Sequence, residues 1–231
     1  MKSFCVSAQP ILLSTTAGYV DAAGYLALQG LFTAHVTGNF VTIGAALISG
    51  SSGTLAKLLA LPTFCIVIVV ARLMSIGLRQ KGLPTLHTLL GLQVLLLGVA
   101  AGLALSFGPF PNGDGMPALG MGLMLVAAMA IQNAVQRMEL GSAPPSTVMT
   151  MTTTQIMIDV ADMMQSMPDE KRRVMRERLI RMGTSVIAFA TGCALAALLY
   201  AKAGVYCFLV PPALALATTL AGIAVAQSDT P

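Results

Sequence analysis

Apolar stretches long enough to cross a hydrocarbon layer recur six times in this chain, at 11–32, 56–79, 86–107, 116–138, 182–201 and 205–226. A bilayer core about 30 Å thick takes about 20 apolar residues of helix. The runs are continuous rather than alternating, so the expected fold is an all-α membrane protein. Composition agrees: of 231 residues, 56% are hydrophobic and only 10% charged, with a mean hydropathy of +0.82. Soluble domains carry about 25% charged residues. The longest interval between runs, 139–181, is itself partly apolar, which leaves no soluble unit of useful size. Residues 1–231 therefore read as a single integral membrane domain.

Lys2 ahead of the apolar stretch Phe4–Leu13 has the outline of a signal peptide. No small-residue cleavage site follows, so a retained first span is the simpler account. The cysteines, Cys5, Cys65, Cys193 and Cys207, have neither C-x-x-C nor metal-ligand spacing and read as small packing residues.

Charge placement bears on topology. With six spans and a cytoplasmic N-terminus, the inner side receives Lys2, Arg79, Lys81, Arg137 and the run from Lys171 to Arg181, while the outer side receives Lys57 and Lys202. That is a positive-inside distribution, and it puts both termini in the cytoplasm. Eight spans, with 37–50 and 147–165 crossing as well, would move Arg79 and Lys81 outside and weaken it. Six full spans plus two short polar-broken helical segments at 37–50 and 147–165 is the expected arrangement, with seven or eight spans as the alternatives. The basic run follows Pro168-Asp169-Glu170, an acidic first turn, and carries Met175, Leu179 and Met182 on one stripe. It predicts an amphipathic helix at the inner surface, with 171–181 facing anionic lipid headgroups. No aromatic interleaving points to nucleic acid.

The polar residues inside apolar sequence carry the functional signal. Gly18-Tyr19-Val20-Asp21-Ala22-Ala23-Gly24 places a carboxylate about ten residues from either end of the first run. An Asp there costs at least about 2.5 kcal/mol on insertion scales, so it faces protein or a wet cavity. Arg72, Asn133 and bound water are its candidate partners. At Thr37-Gly38-Asn39 the backbone itself is interrupted: Gly38 permits a tight turn, and Thr37 or Asn39 is placed to cap a helix over about 40–48. The free N–H groups of that helix start are a docking point for a solute or anion, or simply a cap between packed elements.

The order of span, polar-interrupted short segment, span and span describes 11–107 and describes 116–226 again, which reads as an internal duplication. Asp21-Ala22 lies opposite Asn133-Ala134, and Thr37-Gly38-Asn39 opposite Thr153-Thr154-Gln155. Three spans per half would make the halves an inverted repeat, as in many secondary transporters. Asp159 and Asp162, three apart, share a helix face where they would bind a cation, relay a proton or meet the nearby arginines. In the third run, 86–107, Gly98-x-x-x-Gly102 with Gly91 predicts close helix packing, and Gln93 an interhelical hydrogen bond.

Gly18-Tyr19-Val20-Asp21-Ala22, Leu31-Phe32 and Thr37-Gly38-Asn39-Phe40 with Gly44 resemble the signature of the YoaK family, bacterial multi-pass membrane proteins classified as a domain of unknown function. The resemblance covers essentially the full length. It implies the helical membrane fold and a location in the bacterial inner membrane, and it brings no activity. The family's second half commonly carries a Thr-Gly motif; Thr153-Thr154-Gln155 lacks the glycine.

Two function classes follow. One is a transporter or channel for a small solute or ion, with Asp21, Thr37, Gly38, Asn39, Asn133, Thr153, Gln155 and Asp159 lining a site between the halves. The other is a non-transporting scaffold or accessory subunit, an oligomer included. His35 and His87 are the only histidines, and H-E-x-x-H, G-x-S-x-G and P-loop patterns are absent, so no catalytic residue, metal site or cofactor is expected.

Overall fold

The computed structural model describes residues 8–50, 52–141 and 143–228, with side chains through residue 222. These residues form eight α-helices, α1 (Ala8–Ala27), α2 (Gly38–Ser49), α3 (Thr54–Gln80), α4 (Thr85–Phe107), α5 (Met116–Glu139), α6 (Met149–Met163), α7 (Asp169–Ala203) and α8 (Val210–Ser228), with a 3₁₀ turn, Gly204–Leu209, between the last two. By length and hydropathy α3, α4, α5 and the stretch Asp169–Gly222, which holds most of α7 and α8, are long and apolar enough to cross a membrane. With the 20-residue α1 the long helices number six. At 1.5 Å per residue, α2 and α6 reach only about 18 Å and 22 Å, too short to cross.

The long helices alternate in direction. At one end of the bundle, Asp114 between α4 and α5 accepts hydrogen bonds from the amides of Gly53 and Leu55 at the start of α3, at 2.9 and 3.0 Å. Gln29, just past α1, donates to the Phe110 carbonyl at the same end. At the other end, Arg79 of α3 meets Glu139 of α5 at 2.6 Å. The end of α7 lies with the end of α4, where Val205 packs against Gly108. The start of α7, with its basic run, is therefore at the Arg79 end, together with Lys81 and Arg137.

Packing follows a membrane logic. Tyr19, Leu97, Met121, Leu125, Met129 and Phe208 are enclosed in the core, and Tyr19 donates to the Cys207 carbonyl in the 3₁₀ turn at 2.8 Å. Large apolar side chains of α3, among them Ile66, Val69 and Leu73, point outward, as they do on a lipid-facing helix. α1, by contrast, is enclosed by α7, α8 and α5. The α1–α7 crossing is a backbone contact: a Cβ on Gly18 would sit 2.1 Å from the Phe189 carbonyl oxygen, and one on Gly192 2.2 Å from that of Thr15.

Three expectations need correction. The first span stops at Ala27, because 28–37 leaves the helix to make its own connections. The basic run is not a separate surface helix but the first third of α7, a continuous 35-residue rod. Gly91, Gly98 and Gly102 meet nothing within 4 Å, so the close packing in this chain belongs to Gly18 and Gly192 instead. Gln93 does form the expected interhelical bond, donating to Gln132 of α5 at 2.7 Å.

Gly192→Ala is expected to force α1 and α7 apart and lower the unfolding free energy of detergent-solubilised protein by about 1–3 kcal/mol, the range for overpacking. Gly98→Ala, with open space at its Cβ, should change it by less than about 0.5 kcal/mol.

Candidate functional site

Backbone that leaves the helix at membrane depth must find hydrogen-bond partners within the protein. After α1 the chain turns back through Gln29 and Gly30, both with positive φ, and re-enters the bundle as 31–37. Asp21 receives it. Its Oδ1 accepts from the amides of Thr33 at 2.7 Å and Ala34 at 2.8 Å and from the Thr33 hydroxyl at 3.3 Å, while Oδ2 meets His35 Nδ1 at 2.6 Å. The carboxylate residue is 4% exposed. Asn39, in the first turn of α2, clamps the same loop: Oδ1 accepts from the Phe32 amide at 2.9 Å and Nδ2 donates to the Phe32 carbonyl at 2.8 Å. Gly38 is small because the Phe32 ring lies 3.0 Å from where its Cβ would be.

The second half repeats the device with neutral side chains. After α5 the chain re-enters as 140–148, and α5 again supplies the partners. Gln136 Oε1 accepts from the Ser146 amide at 2.8 Å and its hydroxyl at 2.6 Å, and Gln136 Nε2 donates to the Pro144 carbonyl. Gln132 donates to Ser146 Oγ and to the Leu13 carbonyl of α1. Thr147 donates to Asn133 Oδ1 at 2.7 Å. Asp21 to His35 and Asn133 to Thr147 are both steps of 14 residues.

Asp21 and Asn133 each stand six residues before the end of their helix, about 9 Å in, and those ends lie at opposite faces of the bundle. Each site opens on a pocket. One of 590 Å³ is walled by Asp21, Tyr25, Phe32, His35, Phe189 and Cys193. Its rings are ordered, with Tyr25 and Phe32 centroids 5.0 Å apart and His35 edge-on to Phe189 at 5.4 Å. The other, 390 Å³, is walled by Phe64, Ile68, Asn133, Gln136, Arg137 and Val148.

The expected site residues divide. Asp21, Gly38 and Asn39 gather at the first loop, and Asn133 at the second. Thr37 is exposed and makes no side-chain capping bond to α2. Arg72 does not reach Asp21; its guanidinium is 3.9 Å from Met138 Sδ on the exposed side. Thr153-Thr154-Gln155 is no backbone break, because α6 is already helical from Met149. Thr153 is exposed there. Gln155 donates to Asp159, which is fully buried and paired with Arg178, Nε to Oδ2 at 2.7 Å, so both tie α6 to α7 and hold neither loop. Asp162 is exposed.

The residues that sequence reading passed over are His35, Thr33, Gln132, Gln136, Ser146 and Thr147. The signal for His35 and Thr147 was the shared 14-residue interval. Among the described residues, no three His, Cys, Asp or Glu side chains converge as metal ligands, and Cys65, Cys193 and Cys207 are free thiols; Cys5 lies outside the described residues.

Residues 9–221 match a family described as "Protein of unknown function (DUF1275)". The chain is also similar to the "UPF0700 transmembrane protein YoaK" of Bacillus subtilis (strain 168), with 31% identity over 191 residues, 81% of this chain and 80% of that protein. No solved structure matches at a significant level.

Asn39→Ala should orphan the Phe32 amide and carbonyl, at a cost of about 1–3 kcal/mol for each group left buried. Asn39→Asp keeps the acceptor and should lose less, and Thr37→Ala should be near neutral; unfolding of the purified variants in detergent ranks the three.

Proposed function

The chain belongs to the DUF1275 family and is a multi-pass helical membrane protein, and on that premise we propose that it passes a small solute or ion across a bacterial inner membrane. The path runs between two halves of an inverted repeat, past the re-entrant loops. The observation that carries this reading is the pair of re-entrant loops, one held by Asp21 and Asn39 and the other by Asn133 and Gln136, each beside a pocket and each following a helix that ends at an opposite face of the bundle.

The helix contacts support the repeat. α1 packs on α7 as α5 packs on α3, α8 on α1 as α4 on α5, and α2 on α3 as α6 on α7. Exchanging the halves reproduces each pairing, which is what a two-fold axis in the membrane plane does. The pocket walls correspond as well: Asp21 and Tyr25 answer to Asn133 and Arg137, and Phe189 and Cys193 to Phe64 and Ile68, each pair four residues apart. Positive-inside logic puts the Arg79 end and both termini in the cytoplasm. There the basic stretch 171–181 meets anionic headgroups. The proposal includes no enzymatic step and no cofactor.

One observation favours the scaffold reading. The Asp21 carboxylate has protein partners on both oxygens, as a purely structural residue does. Proteoliposomes separate the two. Wild-type vesicles, tested with a pH dye and by light scattering under gradients of potassium salts, urea and glycerol, should outpace empty ones for at least one probe. Asp21→Asn keeps an oxygen for the Thr33 and Ala34 amides, so it should insert normally and slow that flux by at least about tenfold, equivalent to 1.4 kcal/mol. No flux for any probe, together with a melting shift in Asp21→Asn, would support the scaffold.

A further inference from the structure

We propose that the 590 Å³ pocket beside the first loop is a binding site for a weakly hydrated organic monocation, a quaternary ammonium with an apolar body. This names the chemical class of the solute, and for its role in flux it rests on the transport reading above. The charge that would recognise such a ligand is that of Asp21. Its hydrogen bonds come from the Thr33 and Ala34 amides, the Thr33 hydroxyl and His35 Nδ1, the pattern of an ionised carboxylate that only accepts. A neutral imidazole with its proton on Nδ1 supplies the last of these, so none of the donors has to be charged. The loop is held in this way while Asp21 and His35 together keep one net negative charge.

No basic side chain offsets it. The described residues that wall the pocket include no Lys or Arg. Arg72 lies toward Met138, and Lys57 is buried at the start of α3, where the Asp114 carboxylate is. On α7 the flanking bases, Arg181 and Lys202, stand eight residues before Phe189 and nine after Cys193, about 12 Å and 14 Å along the axis. A carboxylate buried without an opposite charge is costly, and a cation entering the pocket supplies that charge. The rings decide which cation. Tyr25, Phe32, His35 and Phe189 touch in that order, with centroids 5.0, 6.4 and 5.4 Å apart, and among the described residues every aromatic ring contact belongs to this row. Ring faces attract a cation held within about 6 Å of their centroids, and quaternary ammonium groups are the ligands that such cages take. A hard metal ion needs several free oxygen ligands instead. Here the Asp21 oxygens are committed to the loop, and the Cys193 thiol is turned to the Gly18 carbonyl at 3.2 Å. Ala22, Leu26 and Ala197 give the rest of the wall an apolar surface for the body of the ligand. The volume of 590 Å³ lies within the range of small-molecule sites, about 300–1,000 Å³.

The test uses the full-length protein in nanodiscs of zwitterionic phosphatidylcholine, titrated by calorimetry with benzyltrimethylammonium, benzyl alcohol and benzenesulfonate, with empty discs subtracted. The three probes share a ring and differ in charge. The cation should bind saturably and at least about tenfold more tightly than either of the others, a difference of 1.4 kcal/mol. Asp21→Asn should remove that preference and leave benzyl alcohol unchanged. Phe189→Leu keeps the apolar wall but removes a ring face, and it should weaken the cation by at least about twofold, the low end of a cation–π contact, again with benzyl alcohol unchanged. No saturable cation binding, a neutral or anionic probe that binds as tightly as the cation, or a preference that survives Asp21→Asn would overturn the proposal. If Asp21→Asn does not purify, Phe189→Leu decides: equal loss of the cation and of benzyl alcohol reduces the site to an apolar cavity and refutes the assignment. Binding as expected with no flux of benzyltrimethylammonium into proteoliposomes would sink transport and leave the cation site standing. Flux of potassium, urea or glycerol without cation binding would do the reverse.

Discussion

The structure depends on one constraint: peptide groups outside a helix, at membrane depth, must be hydrogen-bonded by the protein itself. Two loops break this chain's helices, and for each the preceding long helix reaches back with polar side chains to receive it. Asp21 takes two amides of the first loop, and Gln136 takes an amide and a carbonyl of the second. The polar residues in apolar sequence are thus first of all the partners of irregular backbone. These groups are committed to holding the loops, so a change at any of them acts on the fold's own stability.

The two loops are held by different chemistry. The first uses a carboxylate and an imidazole, the second amides and hydroxyls. The first arm thus contains ionisable side chains and the second does not. The step of 14 residues, from Asp21 to His35 and from Asn133 to Thr147, is common to both arms while the side chains differ.

Much of the frame was legible in the sequence, since span length and hydropathy are additive along the chain and need no tertiary information. Six long helices and two short ones appear where apolar runs and polar breaks put them. The site was legible in part. Asp21 and the Gly38-Asn39 clamp stood out because their residue types are expensive in lipid. His35 did not, because a histidine beside a glycine-containing turn looks the same whether it faces water or a carboxylate. The Arg72 pairing failed for a related reason: helix rotation decides which way a side chain points, and periodicity in an almost wholly apolar helix does not report it. Thr153-Thr154-Gln155 misled by composition, since threonines well inside a helix satisfy their hydroxyls on the preceding turn, as Thr154 does on Thr150.

α7 has a consequence of its own. At 35 residues it is about 52 Å long, well beyond the roughly 30 Å of hydrocarbon, and it is unbroken from its arginines to the 3₁₀ turn. Where it crosses α1 no side chain intervenes at Gly18 and Gly192, so the two backbones are in direct contact. Phe189 and Cys193, at the crossing, are the pocket wall facing His35. One unbroken helix therefore carries both the basic run at one end of the bundle and the wall opposite the imidazole, so the two belong to a single rigid element.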